Sequence, residues 1–407
     1  MDISELEALL TPEGLRLLES VPEPESTADV ARAVSRLRAA GHSPDLVSAV
    51  VGQARLRARA RAKFGAFADR LLFTRAGLEQ ATRMPVAARH AGRFRSAGIR
   101  RVADLGCGIG GDALAFAAAG LRVLAVDADE VTAALAAYNL APFRDEAEVR
   151  HGRAEDVALE PGDGVWLDPA RRTAGHTETT RVGPGDYAPP LVWGLALARQ
   201  HPAGIKLGPA FDRAAIPEDA EAQWVSADGT VVELALWSGV LARPGVRRAA
   251  LVLRAGSVYE LTAPADSTDE AVRELGAFVH EPDGAVIRAR LIGDVARSLQ
   301  AGMLAPRVAY MTGDAPLHSP FAATFRVRET LPFEVKKLGR ALRERGIGTL
   351  EIKKRGVDVD PAALRSRLGL RGDDAATLIL TRVGAKRVAV LADRVGESHD
   401  AEATRRP

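Results

Sequence analysis

The chain has 407 residues, more than one hydrophobic core usually serves, so about two to four domains of the common ~100–200-residue size are expected. Its 47% hydrophobic and 27% charged content excludes a disordered chain, and no run reaches the roughly 18 uncharged apolar residues of a membrane span. The net charge is only +2, the single cysteine (Cys107) excludes an intrachain disulfide framework, and eight histidines without H-x-x-x-H or H-E-x-x-H spacing predict no metal.

In chain order, residues 1–95 read as a helical domain, with apolar positions recurring every three or four residues. The predicted helices are LEALLTPEGLRLLESV, then TADVARAVSRLRAAG with Thr27 as N-cap and Gly41 as stop, then PDLVSAVVGQARLRARARAKFG. Residues 31–100 carry 15 Arg/Lys against 3 Asp/Glu, which is either a steering surface or a compositional habit of an Arg-rich sequence. The acidic start, MDISELEALL, has no basic segment ahead of an apolar core, so a cytoplasmic address is expected. From Arg100 the period changes. VADLG, LRVLAVD, AEVRHG, GVWLDP, AGIKLG, AQWVSA and TVVELALW alternate with helices, the pattern of a mostly parallel α/β sheet over residues 96–243. Asp228-Gly229 predicts a tight hairpin between the last two runs. Residues 244–330 read as a small α+β, ferredoxin-like domain, and residues 331–395 as a helix-strand-helix-strand-strand unit. Residues 396–407 form a polar tail expected to fray.

The stretch VADLGCGIGGDALAFAAAG runs from strand through a glycine turn into helix, which sets backbone N–H groups and the positive helix end beside the carboxyl edge of the sheet. Gly106, Gly108 and Gly110 leave no Cβ between that backbone and a ligand. Asp104, two residues before the first glycine, suits a ligand with an ammonium group and no pyrophosphate. S-adenosylmethionine is such a ligand. Asp127 closes LRVLAVD, where it would accept from both ribose hydroxyls, Glu155 and Asp156 follow AEVRHGRA near an adenine amino group, and Asp168 closes GVWLDP. The successive spacings of 23, 29 and 12 residues between Asp104, Asp127, Asp156 and Asp168 fit successive strand-helix units.

Residues 100–237 resemble a class I S-adenosylmethionine-dependent methyltransferase, through DLGCGIGGD and the VDAD that contains Asp127 and Ala128. The whole chain is similar to a bacterial group of methyltransferases with a THUMP-like domain, through FTRAGLEQATRMPVAARHA, WLDPARR, IKLGPAFD and LEIKKRGVDVDPAALRSRL. The resemblance implies a Rossmann-like, seven-stranded sheet closed by an antiparallel strand, with an N-terminal helical domain and small C-terminal α+β domains. It also implies that Gln80 and Thr82 line the methionine end of the cofactor.

Asp168-Pro169 stands where the superfamily's fourth motif lies, but Ala170 and Arg171 replace the second proline and aromatic of amino-methylating enzymes, which argues against a stacked, flipped base. Cys107 reads as filler inside the turn and not as the nucleophile that C5 methylation needs. Nitrogen or 2′-oxygen nucleophiles remain, with Asp168 as proton acceptor and Lys206 and Arg171 positioning the acceptor. Residues 331–390 carry 14 Arg/Lys against 7 Asp/Glu, and Lys336, Lys337, Arg340, Lys353, Lys354 and Arg355 are candidate phosphate contacts. Structured RNA is the expected partner, with no membrane, and the oligomeric state is open. The alternatives are a methyltransferase of a small molecule or protein, and a cofactor-binding protein without turnover.

Overall fold

The computed structural model describes residues 1–24, 26–171 and 187–396. The chain divides into two compact units: Met1–Leu207 with Phe211–Ala220 and Ala235–Arg243, and Gly208–Ala210 with Glu221–Leu234 and Pro244–Pro407.

In the first unit, α1 (Ile3–Leu9), α2 (Pro12–Ser20), α3 (Thr27–Ala39) and α4 (Pro44–Phe64) bury Leu6, Leu9, Leu18, Leu37, Val47 and Val50 in one cluster. The N-cap of α3 is Ser26, one residue before the expected Thr27. Its side chain accepts from the Asp29 N–H while Asp29 accepts from the Ser26 N–H, and only this register places an acid three residues inside the helix. Two short helices, α5 (Arg75–Gln80) and α6 (Met84–Ser96), lead to the sheet.

The sheet alternates with helices: β1 (Arg101–Leu105), α7 (Gly111–Ala118), β2 (Arg122–Asp127), α8 (Glu130–Leu140), β3 (Ala147–His151) and β4 (Gly164–Leu167). Beyond them come the short pair β5 (Ala170–Arg171) and β6 (Tyr187–Ala188), then α9 (Leu191–Leu197) and β7 (Ala203–Leu207). Strands β7-β4-β1-β2-β3 are parallel in that order, with Leu105 opposite both Val126 and Leu167. The Ala235–Trp237 end of β9 (Thr230–Trp237) lies next to β7. β1, β4 and β7 are almost wholly buried, since helices or other side chains cover both faces, as parallel sheets require. Phe94, Phe116, Trp166 and Trp237 meet there edge to face or tilted, at centroid separations of 5.1–6.4 Å.

In the second unit, β8 (Glu221–Ala227) neighbours β9 through the predicted turn, whose Asp228 and Gly229 have φ of 49° and 79°. Both central residues are left-handed, as the tightest hairpin turn demands. The mixed α/β class is as expected, but residues 244–330 do not form a sheet of their own. β10 (Arg248–Arg254) pairs parallel to β8, and β11 (Ser257–Ala263) antiparallel to β10, so strands continue past the expected seven. The rest of that segment supplies α10 (Gly284–Ala289), α11 (Ile292–Ser298) and four strands of a second sheet: β12 (Phe278–Pro282), β13 (Gly302–Ala305), β14 (Val308–Gly313) and β15 (Ala322–Leu331).

These join α12 (Val335–Glu344), β16 (Ile347–Lys354), α13 (Pro361–Leu368), β17 (Asp374–Val383) and β18 (Lys386–Arg394) in the order β13-β14-β12-β15-β18-β17-β16. The expected boundary at residue 331 therefore falls at the end of β15, whose whole length pairs with β12 and β18. Local periodicity marks strands but carries no information on which distant strand each pairs with. Leu338, Leu342, Leu364 and Leu368 seat α12 and α13 on Leu350, Leu378 and Leu380, while Ile379 and Val390 face the opposite cluster with Tyr310 and Phe325.

Candidate functional site

The parallel registers of β1, β2, β4 and β7 bring Asp104, Asp127, Asp168 and Lys206 to one rim of the first unit. Between β1 and α7, Gly106, Gly108 and Gly110 adopt φ of 86°, 56° and 86°, a region that L side chains rarely tolerate. A Cβ on Gly106 would stand 3.1 Å from the Asp168 carbonyl oxygen, so the turn and the exit of β4 approach backbone to backbone. The Gly106 and Cys107 N–H groups both donate to Val126 O, at 2.9 and 3.0 Å, tying the turn to β2. Cys107 is buried, and that burial pushes its thiol well above its ordinary value, which leaves it a poor nucleophile.

Asp104 is 1% exposed, and among the described residues neither carboxylate oxygen has a hydrogen-bond partner. Burial drives its pKa well up, Asp112 and Asp168 push the same way, and Lys206 opposes them. An unpartnered buried carboxyl costs about 1–3 kcal/mol or more, and a cationic ligand is what would relieve it. Asp127 differs. Its Oδ2 accepts from the Gly108 N–H at 2.9 Å and its Oδ1 from the Asp129 N–H at 3.0 Å, although burial still raises its pKa. Each of its oxygens keeps acceptor capacity for a hydroxyl.

Ala128 is exposed, and its carbonyl lies 3.2 Å from His151 Nε2. Glu155 and Asp156 follow β3 in a short turn, Glu155 half-buried beside Arg153 and Asp156 exposed. The Gly152 N–H donates to Asp127 O at 2.9 Å, which brings this turn to the same rim. Gln80 is exposed at the last position of α5. Pro169 is buried next to Asp168, whereas the side chain of Arg171 lies outside the described part of the chain.

Asp112, His90 and Lys63, which have no role in the sequence analysis, enter the site. Thr82 donates to Asp112 Oδ2 at 2.6 Å, and His90 Nδ1 lies 2.8 Å from Asp112 Oδ1. Burial raises the Asp112 pKa, but His90, Lys206 and Thr82 outweigh it and hold the carboxyl below its usual range. Lys206 Nζ donates to Thr82 Oγ1 at 3.0 Å and to Asp168 Oδ2. Lys63 at the end of α4 donates to the Leu78, Glu79 and Ala81 carbonyls at 2.8, 2.7 and 2.8 Å, closing the end of α5 just before Thr82. Burial, with Lys206 and Arg83 nearby, lowers the Lys63 pKa to about 8. Asp112 was visible as the last residue of DLGCGIGGD, yet an acid in a first helical turn also serves the helix dipole, so the motif alone assigns it no partner.

The basic segments divide as well. Arg57 and Lys63 bond backbone carbonyls and Arg61 pairs with Glu23 and Asp69, so much of the N-proximal charge is spent inside the fold. In the second unit, Lys353 and Arg355 flank Glu281 at 2.6 and 3.7 Å and lie over the Phe325 and Tyr310 rings. Lys336, Lys337, Arg340 and Lys354 are exposed, the first three on α12, with Arg365 and Arg367 exposed on the adjoining α13. Lys337 also pairs with Glu334 at 2.8 Å.

Residues 322–394 match the family model described as THUMP domain-like, and residues 2–60 match a domain of unknown function. An uncharacterized S-adenosylmethionine-dependent methyltransferase of Mycobacterium tuberculosis, found in strains CDC 1551 and H37Rv, is 36% identical over 359 residues, covering 86% of this chain and 96% of its own length. A Porphyromonas gingivalis W83 protein provisionally named a methyltransferase has a crystal structure that overlays with a TM-score of 0.71, at 21% identity over 91% of this chain and 99% of that one, which shows a shared fold. Among the described residues, no helix is long and apolar enough to cross a membrane.

Proposed function

The chain belongs to the family of S-adenosylmethionine-dependent methyltransferases represented by the M. tuberculosis protein, and from that premise we propose that it methylates structured RNA at a nitrogen or a 2′-oxygen. The observation that carries the cofactor assignment is the Asp104 carboxyl, buried, without a partner and set against a glycine turn. Asp104 takes the ammonium end of the cofactor, and the backbone at Gly106, Gly108 and Gly110, bare of Cβ atoms, lines its path. Asp127 accepts from the ribose hydroxyls, beside Ala128. Glu155 and Asp156 flank the adenine, and Gln80 and Thr82 the methionine end.

The bound cofactor supplies an activated methyl whose leaving group is neutral S-adenosylhomocysteine. What the chain adds is alignment, exclusion of water and a destination for the proton that an incoming N–H or O–H nucleophile gives up. Asp168 receives that proton, and Lys206, hydrogen-bonded to it, orients the carboxylate. Pro169 and Arg171 complete the acceptor side. The RNA reading is supported by the THUMP-like match and by the exposed Lys336, Lys337, Arg340 and Lys354, since phosphate contacts confer affinity that does not depend on sequence. Lys353 and Arg355, already occupied by Glu281, contribute less than the sequence suggested.

Incubation with tritiated S-adenosylmethionine and, separately, total RNA or protein extract tests the reading. Label is expected in the RNA fraction, with retention on RNA that falls steeply as salt rises. Label confined to protein or small molecules overturns the substrate. No label anywhere, with S-adenosylhomocysteine still bound, overturns turnover and leaves a binding protein. A cytoplasmic address accords with such a substrate.

A further inference from the structure

We propose that Asp112, held by His90 and acting through the Thr82 hydroxyl, is a positioning residue that fixes the Lys206 ammonium against Asp168. The direction of every bond in this chain follows from what each group is able to donate. A lysine ammonium has only donors and an ionised carboxylate only acceptors, whereas a threonine hydroxyl has one hydrogen to give. Thr82 Oγ1 lies 3.0 Å from Lys206 Nζ and 2.6 Å from Asp112 Oδ2, so its hydrogen goes to Asp112 and its lone pair to Lys206. Reversal would require a neutral lysine or a protonated Asp112. Both are disfavoured by the surroundings: Asp112 is kept ionised despite its burial, and Lys206 faces the carboxyls of Asp168, Asp112 and Asp104. Among the described residues, Lys63 is an opposing positive charge, with Arg83 beside it. His90 closes the far end, with Nδ1 on Asp112 and its ring 4.2 Å from that of Trp166, so Asp112 cannot turn away from Thr82 without breaking a packed contact. His90, Asp112 and Lys206 stand on α6, α7 and β7, and Thr82 lies in the short connection between α5 and α6, so regular elements carry both ends of the chain of bonds. Thr82 is thereby committed at both its hydrogen and a lone pair, which link Asp112 to Lys206.

The inference rests on the reading of Lys206 and Asp168 as acceptor-side groups, but its test needs no methyl acceptor. The probe is competitive acetylation of the full chain with acetic anhydride across pH, with the Lys206 peptide read by mass spectrometry. In Thr82→Val, which keeps the shape and removes the hydroxyl, the midpoint of Lys206 labelling should fall by about one pH unit, because the ammonium loses an acceptor and its link to Asp112. Thr82→Ser should restore it. Asp112→Asn should lower the midpoint as Thr82→Val does; if that variant does not fold, the Val and Ser pair decides. An unchanged midpoint in Thr82→Val overturns the proposal, as does a Thr82→Ser variant that behaves like Thr82→Val. A tenfold loss of S-adenosylhomocysteine affinity with no movement of the midpoint also overturns it, in favour of direct cofactor contact. RNA failing as substrate in the tritium experiment would leave the titration result standing, so the two readings fail separately.

Discussion

The rim of the first unit and the α12–α13 face of the second both concentrate charge, and they do so at opposite energetic extremes. At the rim, Asp104 and Asp112 are buried at 1% and 6% exposure within one neighbourhood, one without a hydrogen-bond partner among the described residues and the other held by His90 and Thr82. On α12 and α13 the cations stand in water, where each is screened and worth little to the fold. Groups of the first kind couple binding to stability. Groups of the second kind serve an interaction without changing the protein that carries them.

The largest effect expected from this contrast is at Asp168. Asp168→Ala should reduce methyl transfer by about 100-fold or more, the usual worth of a placed proton acceptor, while S-adenosylhomocysteine binding by calorimetry stays within about threefold. Equal loss of both would move Asp168 to the cofactor.

Asp104→Asn comes next, and its two consequences have opposite signs. Cofactor affinity should fall about 10–100-fold, as for loss of a charged hydrogen bond, while the melting temperature of the ligand-free protein rises by a few degrees because a buried carboxyl without a partner is gone. A fall in melting temperature would show that Asp104 already has a stabilising partner.

The same residue sets a pH dependence. With its folded pKa raised, Asp104 holds a proton that the unfolded chain releases near pH 4, so its contribution erodes stability as pH climbs from there toward the folded value. Asp112 has the opposite sign: its contribution is fully present above pH 4 and is lost as pH falls through its lowered folded value. The melting-temperature advantage of Asp104→Asn over the natural chain should therefore widen as pH rises above about 4. A constant difference across pH would mean that the carboxyl does not titrate in that range.

Smaller still, and confined to binding, is the triple change of Lys336, Lys337 and Arg340 to Gln. It should flatten the slope of log affinity for RNA against log salt by about two to three, with melting temperature and cofactor affinity unchanged. Lys353→Gln is the control on the same unit. It should leave the salt slope alone and cost about 1 kcal/mol of stability, since its ammonium pairs with Glu281 and not with solvent. A larger RNA defect from Lys353→Gln than from the triple variant would break the contrast.

How much of this was legible in the sequence varies residue by residue. The glycines announced a bare turn, because a left-handed backbone has few other residues to choose from, and the Asp228-Gly229 pair announced a hairpin for the same reason. The alternation of apolar runs with helices announced the α/β class. Ser26 in place of Thr27 was a one-residue miss between two chemically equivalent caps, decided by which of them has an acid three residues on. The fate of residues 244–330 was not legible, since the residues of β10 and β12 mark each as a strand without marking the strand that each adds to. Nor did six similar cations in a row of segments reveal that Lys353 and Arg355 turn toward Glu281.

By itself, then, the sequence determined what short-range stereochemistry and period determine: the strand-turn-helix with its glycines, the hairpin, the helical start and the acids placed at strand ends. Only the tertiary structure decided which of those acids is left without a partner among the described residues and which is bound to His90 and Thr82 and faces the charge of Lys206, groups that approach Asp112 from 22, 30 and 94 residues away. The reason is that a carboxyl's energy depends on the field and solvent around it, and both are assembled from distant parts of the chain after its own residue type has been fixed.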